Sequence, residues 1–206
     1  MTRVLDVPVA LPAGELPERR RFTREEYERA GQLGLFDGER LELIGGEIVR
    51  KMTPQHSPHA AAIRRVEEAL RVAFGSGFDV RVQLPLALAD HSEPEPDVSV
   101  VRGSFTDYEQ AHPESAVLVV EIADSSLRFD RGAKASLYAA AGIPEYWIVN
   151  LVERVVEVRS QPGADPSQAF QAGYAVVVSY REDESFAPIA SPSVRIRVAD
   201  LLPARR

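Results

Sequence analysis

Two carboxylates at strand positions and one lysine on the helix that follows carry the clearest chemical suggestion in the chain. Asp97 opens a short predicted strand, Asp97 to Val101, directly after Pro96. Glu121 stands near the end of Ala116 to Ile122, a continuous apolar run expected of a buried central strand. A carboxylate at the end of a buried strand is costly unless it is paired or bound to a metal. Two such acids on adjacent strands could hold one Mg²⁺ together with water and substrate oxygens. The competing reading is structural: Asp97 caps a turn and Glu121 pairs with an arginine.

Lys134 shifts that balance. It lies on a predicted helix, Asp130 to Ala141, one turn beyond Asp130 and between apolar neighbours, so its flank faces the sheet. The amine could snorkel outward. It could also point back at the strand ends, where it would stabilise developing phosphate charge or help orient an attacking water. Of the 24 basic residues only Lys51 and Lys134 are lysines, and the other 22 are arginines. A lysine retained in such a chain hints at a position that needs a compact ammonium, or an amine able to lose its proton.

Two further groups merit attention. Arg40 to Lys51 alternates as RLELIGGEIVRK around Gly45-Gly46, a two-residue hairpin signal. With that turn, period-two alternation puts Glu42, Ile44 and Glu47 on one face and Leu41, Leu43 and Ile48 on the other. An ordinary half-exposed hairpin with solvated acids is the rival reading. His56 and His59 are spaced H-x-x-H, but a zinc site wants a third ligand. His91 and His112 stand in no comparable motif, so zinc is not expected; His59 reads either as a residue supporting the site from behind its ligands or as a plain helix-start residue near a phosphate path. Arg128 and Arg131 flank the same loop and helix and could meet phosphate, but a solvated or salt-bridged role fits them at least as well.

The elements that must position these groups are legible. Residues 1–21 read as a loosely held arm, and residues 22–206 as a single domain. Thr23-Arg24-Glu25-Glu26 is a capping box that starts a helix running to about Gly31. Ser57 to about Phe74 has apolar residues at helical spacing. Phe78 to Leu88, Glu145 to Leu151, Val155 to Arg159, Tyr174 to Tyr180 and Val194 to Val198 read as strands, with Gly163 to Ser167 a surface loop and Tyr146-Trp147 in the core. The fold class is therefore α/β or α+β, a mixed sheet flanked by helices, with an extra N-terminal hairpin and C-terminal strands.

Bulk composition sets the limits. A chain of 206 residues can bury a real core, and 45% hydrophobic with 27% charged residues is ordinary for a globular protein. The absence of cysteine excludes disulfides and thiolate metal sites. No apolar stretch approaches the roughly 20 residues of a membrane span, so a cytoplasmic protein without membrane attachment is expected. The net charge of −7 weighs against casual nucleic-acid binding, whose affinity comes from phosphate neutralisation. A divalent ion held by clustered acids would change the local sign.

The segments RLELIGGEIVRKMTP, SPHAAAIRRVEEAL, PEPDVSVV, LVVEIADSS, RGAKASLYAAAGIPEYWIVN and VRIRVADLL follow one another over about residues 22 to 202. Taken as a series, they resemble the Uma-type family of bacterial restriction endonucleases, whose fold is the PD-(D/E)XK nuclease fold, a restriction-endonuclease-like sheet. The resemblance implies that Asp97 and Glu121, with the Ile122 carbonyl, hold Mg²⁺ or Mn²⁺. Ala123 occupies the place of the generic motif's lysine, and the resemblance implies that Lys134 supplies the amine from the following helix. The family's hairpin acid maps to Glu42 or Glu47, with Glu47 preferred, and its helix-start histidine to His59. The implied activity is metal-assisted phosphodiester hydrolysis of nucleic acid, DNA first, by an endonuclease. A homodimer follows by analogy, because two strands need two sites. The rivals are a non-catalytic nucleic-acid or protein interaction module on the same fold, and a hydrolase of small phosphoesters.

Overall fold

The computed structural model describes residues 19–51 and 56–205. Up to residue 18, the expected arm lies outside the described residues. Its last residues, Arg19 to Arg21, run against the first hairpin, where the Arg21 guanidinium donates to the Gly45 carbonyl at 3.2 Å.

Helix α1 (Arg24–Gln32) starts at the Thr23 capping box: the Glu26 N–H donates to the Thr23 hydroxyl while the Glu26 carboxylate accepts from the Thr23 N–H. Strands β1 (Leu41–Ile44) and β2 (Glu47–Arg50) form the expected hairpin, pairing Ile44 with Glu47 and Glu42 with Val49. Gly45 and Gly46 both have positive φ, 59° and 82°, as such a two-residue turn requires. A bridge from Leu43 to Glu93 fastens β1 to the body.

Helix α2 (Ser57–Phe74) matches its predicted span. Six strands then build one sheet in the order β3-β4-β5-β6-β7-β8: β3 (Phe78–Val82), β4 (Val98–Arg102), β5 (Leu118–Ala123), β6 (Glu145–Asn150), β7 (Val155–Ala164) and β8 (Ala172–Arg181). All neighbours are antiparallel except β5 and β6. That parallel pair needs a crossover, and the crossover contains Lys134. It runs as α3 (Leu127–Phe129), a π-helical turn (Asp130–Lys134) and α4 (Ala135–Ala140). The short pair β9 (Ser185–Phe186) and β10 (Ile196–Arg197) precedes α5 (Val198–Leu201).

Each face of the sheet has its own core. Ile63, Val66 and Leu70 of α2 pack with Val98, Val120, Ile122 and Trp147. On the opposite face Ala135 and Tyr138 of α4 pack with Val119, Ala123, Tyr146 and Ile148. Strand alternation therefore assigns Glu121, between Val119 and Ala123, to the α4 face.

Three expectations shift. The strand expected to run from Phe78 to Leu88 stops at Val82, because Gln83 takes a left-handed φ of 51° and Pro85 follows. Strand β7 runs on through Gly163 and Ala164, which were expected in a loop. Its Pro162 pairs with Tyr174 of β8, beyond the point where the pairing with β6 ends at Ser160, so it lies on an edge of the ladder. The last predicted strand shrinks to Ile196–Arg197 and continues as a helix. Among the described residues no helix is long and apolar enough to cross a membrane.

Candidate active site

Asp97 sits immediately before β4 and Glu121 within β5, both almost fully buried, with 6% and 4% of their surface exposed. Each carboxylate is held firmly by one oxygen and loosely by the other. Glu121 Oε1 accepts from Lys134 Nζ at 2.8 Å and from the Tyr138 hydroxyl at 2.7 Å. Among the described residues its Oε2 has only the Asp97 N–H, at 3.4 Å. Asp97 Oδ2 accepts from the Ile122 N–H at 2.9 Å. Its Oδ1 has Gln83 Nε2 at 3.3 Å and His59 Nε2 at 3.4 Å, both near the long limit of a hydrogen bond.

Lys134 reaches this point because of the π turn. The Ala135 N–H donates back to the Asp130 carbonyl, five residues earlier, so the helix gains a residue and turns Lys134 toward the sheet. Lys134, 4% exposed, bridges Glu121 and Glu42 through its ammonium, with Nζ 3.2 Å from Glu42 Oε1. The strand position of the generic lysine is closed: Ala123 is 0% exposed in the core under α4, with no room for a four-carbon stem.

Of the two hairpin acids the structure brings Glu42 to the cluster and leaves Glu47 out. Glu42 is buried, and its Oε2 also accepts from the Glu95 N–H at 3.2 Å. Glu47 shares the face but lies two residues nearer the turn, exposed, with Arg19 3.9 Å away. It is thus Glu42, on the strand that the Leu43–Glu93 bridge ties to the body, and not the expected Glu47, that lies beside Lys134 and Glu121.

The charges are crowded. Burial pushes the Glu121 carboxyl up to about 7, with Lys134 opposing. Burial likewise pushes Asp130, bonded to the Ser126 hydroxyl, up to about 6. For Asp97 burial is outweighed by the His59 hydrogen bond and charge and by the Ile122 N–H, and the carboxyl falls below its ordinary value. His59 is the mirror case: burial lowers it, but Asp97 prevails and raises it. Burial also works against the Lys134 charge, yet Glu121, Glu42 and Asp130 together hold its proton on well above the usual range.

These groups line a cavity of about 650 Å³, which Arg40, Arg50, Lys51 and Arg128 also line. Both lysines of the chain thus meet at one place. Lys51 donates to the Glu95 carbonyl and is 3.8 Å from the Glu95 carboxylate. Arg131 instead binds Glu157 at 2.6 Å. His56 lines the cavity beside His59 and makes no side-chain cap for α2. Among the described residues no three His, Cys, Asp or Glu side chains converge as a ready-made ion site.

Gln83 and Tyr138 escaped the sequence reading. Gln83 carries no signal, since its role depends on a backbone conformation that costs a non-glycine residue about 1–3 kcal/mol and that clusters at functional sites. Tyr138 could have been found: it stands four residues after Lys134, on the same helical face.

None of the curated proteins matches the chain. Among solved structures, a protein from Anabaena variabilis ATCC 29413, titled "a putative nuclease belonging to DUF820", superposes with a TM-score of 0.61 at 18% identity, covering 87% of this chain and 97% of that one. The likeness establishes a shared fold. The family model Uma2, described as "Putative restriction endonuclease", matches residues 24–181. Those residues span α1 to the end of β8 and include every member of the cluster, so the chain belongs to the Uma2 family.

Proposed function

We propose that the chain is a metal-dependent nuclease that cleaves phosphodiester bonds, in DNA first, at the Asp97–Glu121–Lys134 cluster. The observation that carries the reading is the convergence of two buried carboxylates and a buried ammonium on one cavity. The donor set fits Mg²⁺ or Mn²⁺. Magnesium takes one or two carboxylates and keeps its remaining places for water and phosphate, and the loosely held Asp97 Oδ1 and Glu121 Oε2 are two hard oxygens of that kind. With the Ile122 carbonyl they would hold the ion, and Glu42 would act on it through Lys134. When bound, the ion supplies a Lewis acid for a phosphoryl oxygen and a more acidic water. Lys134 places a fixed positive charge where negative charge grows on the transferring phosphoryl group. His59 steadies Asp97, and the cavity cations Arg40, Arg50, Lys51 and Arg128 neutralise the incoming strand. A homodimer bringing two such sites to two strands, and a cytoplasmic home, belong to the same proposal.

The test compares Mn²⁺-dependent cleavage of plasmid DNA by the wild type, Asp97→Ala and Lys134→Ala. Cleavage by the wild type alone is the expected result. Equal residual cleavage in all three would assign the activity to a contaminant. No cleavage together with no Mn²⁺-induced rise in melting temperature would leave a non-catalytic module, and turnover of a nucleotide without DNA cleavage a small-phosphoester hydrolase.

The protonation states add a pH dependence. In the metal-free protein Glu121 keeps its proton up to about pH 7, whereas the unfolded chain loses it near its ordinary value of 4.5. Its contribution to stability is thus fully present below 4.5 and lost as the pH rises through 7. Mn²⁺ must displace that proton, so affinity rises by about tenfold per pH unit below 7 and then levels. The Mn²⁺-induced rise in melting temperature is expected to be larger at pH 8 than at pH 6; a larger rise at pH 6 would exclude a buried carboxylate as ligand.

A further inference from the structure

We infer that Tyr138 is a positioning residue for Glu121, holding Oε1 so that Oε2 alone is presented to a divalent ion. The inference rests on the metal-dependent reading above and adds a residue to it.

Tyr138 is 0% exposed and packs its ring 5.0 Å from that of Tyr146. For packing alone a phenylalanine would suffice, because a buried hydroxyl is costly unless it finds an acceptor. The acceptor here is Glu121 Oε1, at 2.7 Å. Lys134, one helical turn earlier, donates to the same oxygen at 2.8 Å. Two donors from one helix thus converge on one oxygen of a side chain that otherwise has three rotatable bonds. The opposite oxygen points to the backbone of Asp97, the other proposed ligand, through a long contact of 3.4 Å that an ion could replace.

The two donors have separable tasks. Lys134 carries charge, is shared with Glu42, and lines the cavity. Tyr138 is neutral, donates its hydroxyl to Glu121, and packs in the core behind it. Burial, with the Glu121 charge next, lifts the Tyr138 hydroxyl well above its ordinary range, so it stays a donor at every working pH. Residues that orient a ligating carboxylate in this way typically contribute 10–100-fold to metal affinity.

The experiment is titration calorimetry of the full-length wild type and Tyr138→Phe with Mn²⁺, alongside cleavage rates as a function of Mn²⁺. The expected result is a Mn²⁺ dissociation constant weakened by about 10–100-fold, a matching rise in the Mn²⁺ concentration for half-maximal cleavage, and turnover restored to near the wild-type value at saturating Mn²⁺. Metal-free melting of the same variant checks its fold, which the retained ring preserves. A variant that melts earlier but binds Mn²⁺ like the wild type would make Tyr138 structural only and overturn the inference while leaving the nuclease reading intact. Turnover still lost at saturation would overturn it in favour of a direct catalytic role. A wild type that binds no Mn²⁺ would instead sink the metal-dependent reading itself, and the inference with it.

Discussion

Lys134→Met is expected to destabilise the metal-free protein by about 3–5 kcal/mol, the usual cost of removing one partner from a buried ion pair. Methionine fills a similar volume without charge. The loss would arise because the ammonium sits between Glu42 and Glu121, at 3.2 and 2.8 Å, and all three side chains are at least 95% buried. Without it two carboxylates face each other in the core with no cation between them. Glu121, whose carboxyl burial already pushes up to about 7, would answer by taking up a proton, so the deficit should be smaller at pH 6 than at pH 8. Thermal or urea unfolding at both pH values measures this. A loss below about 1 kcal/mol at pH 8 would mean that the ion pair contributes no more than a surface one. Cleavage should fall as well, by about 10²–10³-fold, the scale of losing one electrostatic donor to a transition state.

Glu121→Gln should move stability and function in opposite directions. Burial, opposed by Lys134 and joined by the charges of Asp97 and Asp130, pushes the Glu121 carboxyl up to about 7. Above that pH a neutral amide of the same shape relieves this cost, and Lys134 keeps Glu42 as its counter-ion at 3.2 Å, so no buried charge is left unpaired. At pH 8 the metal-free variant is expected to melt no lower than the wild type. Mn²⁺ at a hundred times its dissociation constant stabilises a binding protein by about 2.7 kcal/mol, and the variant should lose that increment. Cleavage should drop by about a thousandfold or more, corresponding to several kcal/mol of lost charge stabilisation. Retention of the Mn²⁺ increment would remove Glu121 from the ligand set.

Much of this arrangement is written in local patterns. The hairpin follows from alternation about Gly45-Gly46, α2 from its apolar stripe, and the positions of Asp97 and Glu121 from a proline and an unbroken apolar run. What escapes is set by neighbours distant in sequence. Glu42 and Glu47 share one face of the hairpin, and contacts distant in sequence, the Leu43–Glu93 bridge and the Glu95 N–H among them, bury Glu42 and not Glu47. The left-handed Gln83 ends a strand that its alternating side chains would continue, because Asp97 binds both its backbone N–H and its side-chain amide. The π turn likewise has no mark of its own beyond Gly132, a residue that a regular helix would avoid.

That turn also changes how the site is encoded. An α-helix rotates about 100° per residue, so a single extra residue acts as a phase setting that decides which side chain faces the strand. The amine is then specified by the length of chain between two elements and by the winding of the second, and no longer by adjacency to the acid. A scan for acid, any residue, lysine along β5 finds Glu121, Ile122, Ala123 and stops. The signature that survives is a spacing: an acid, a lysine 13 residues on, and a tyrosine 17 residues on, all three meeting at one oxygen atom.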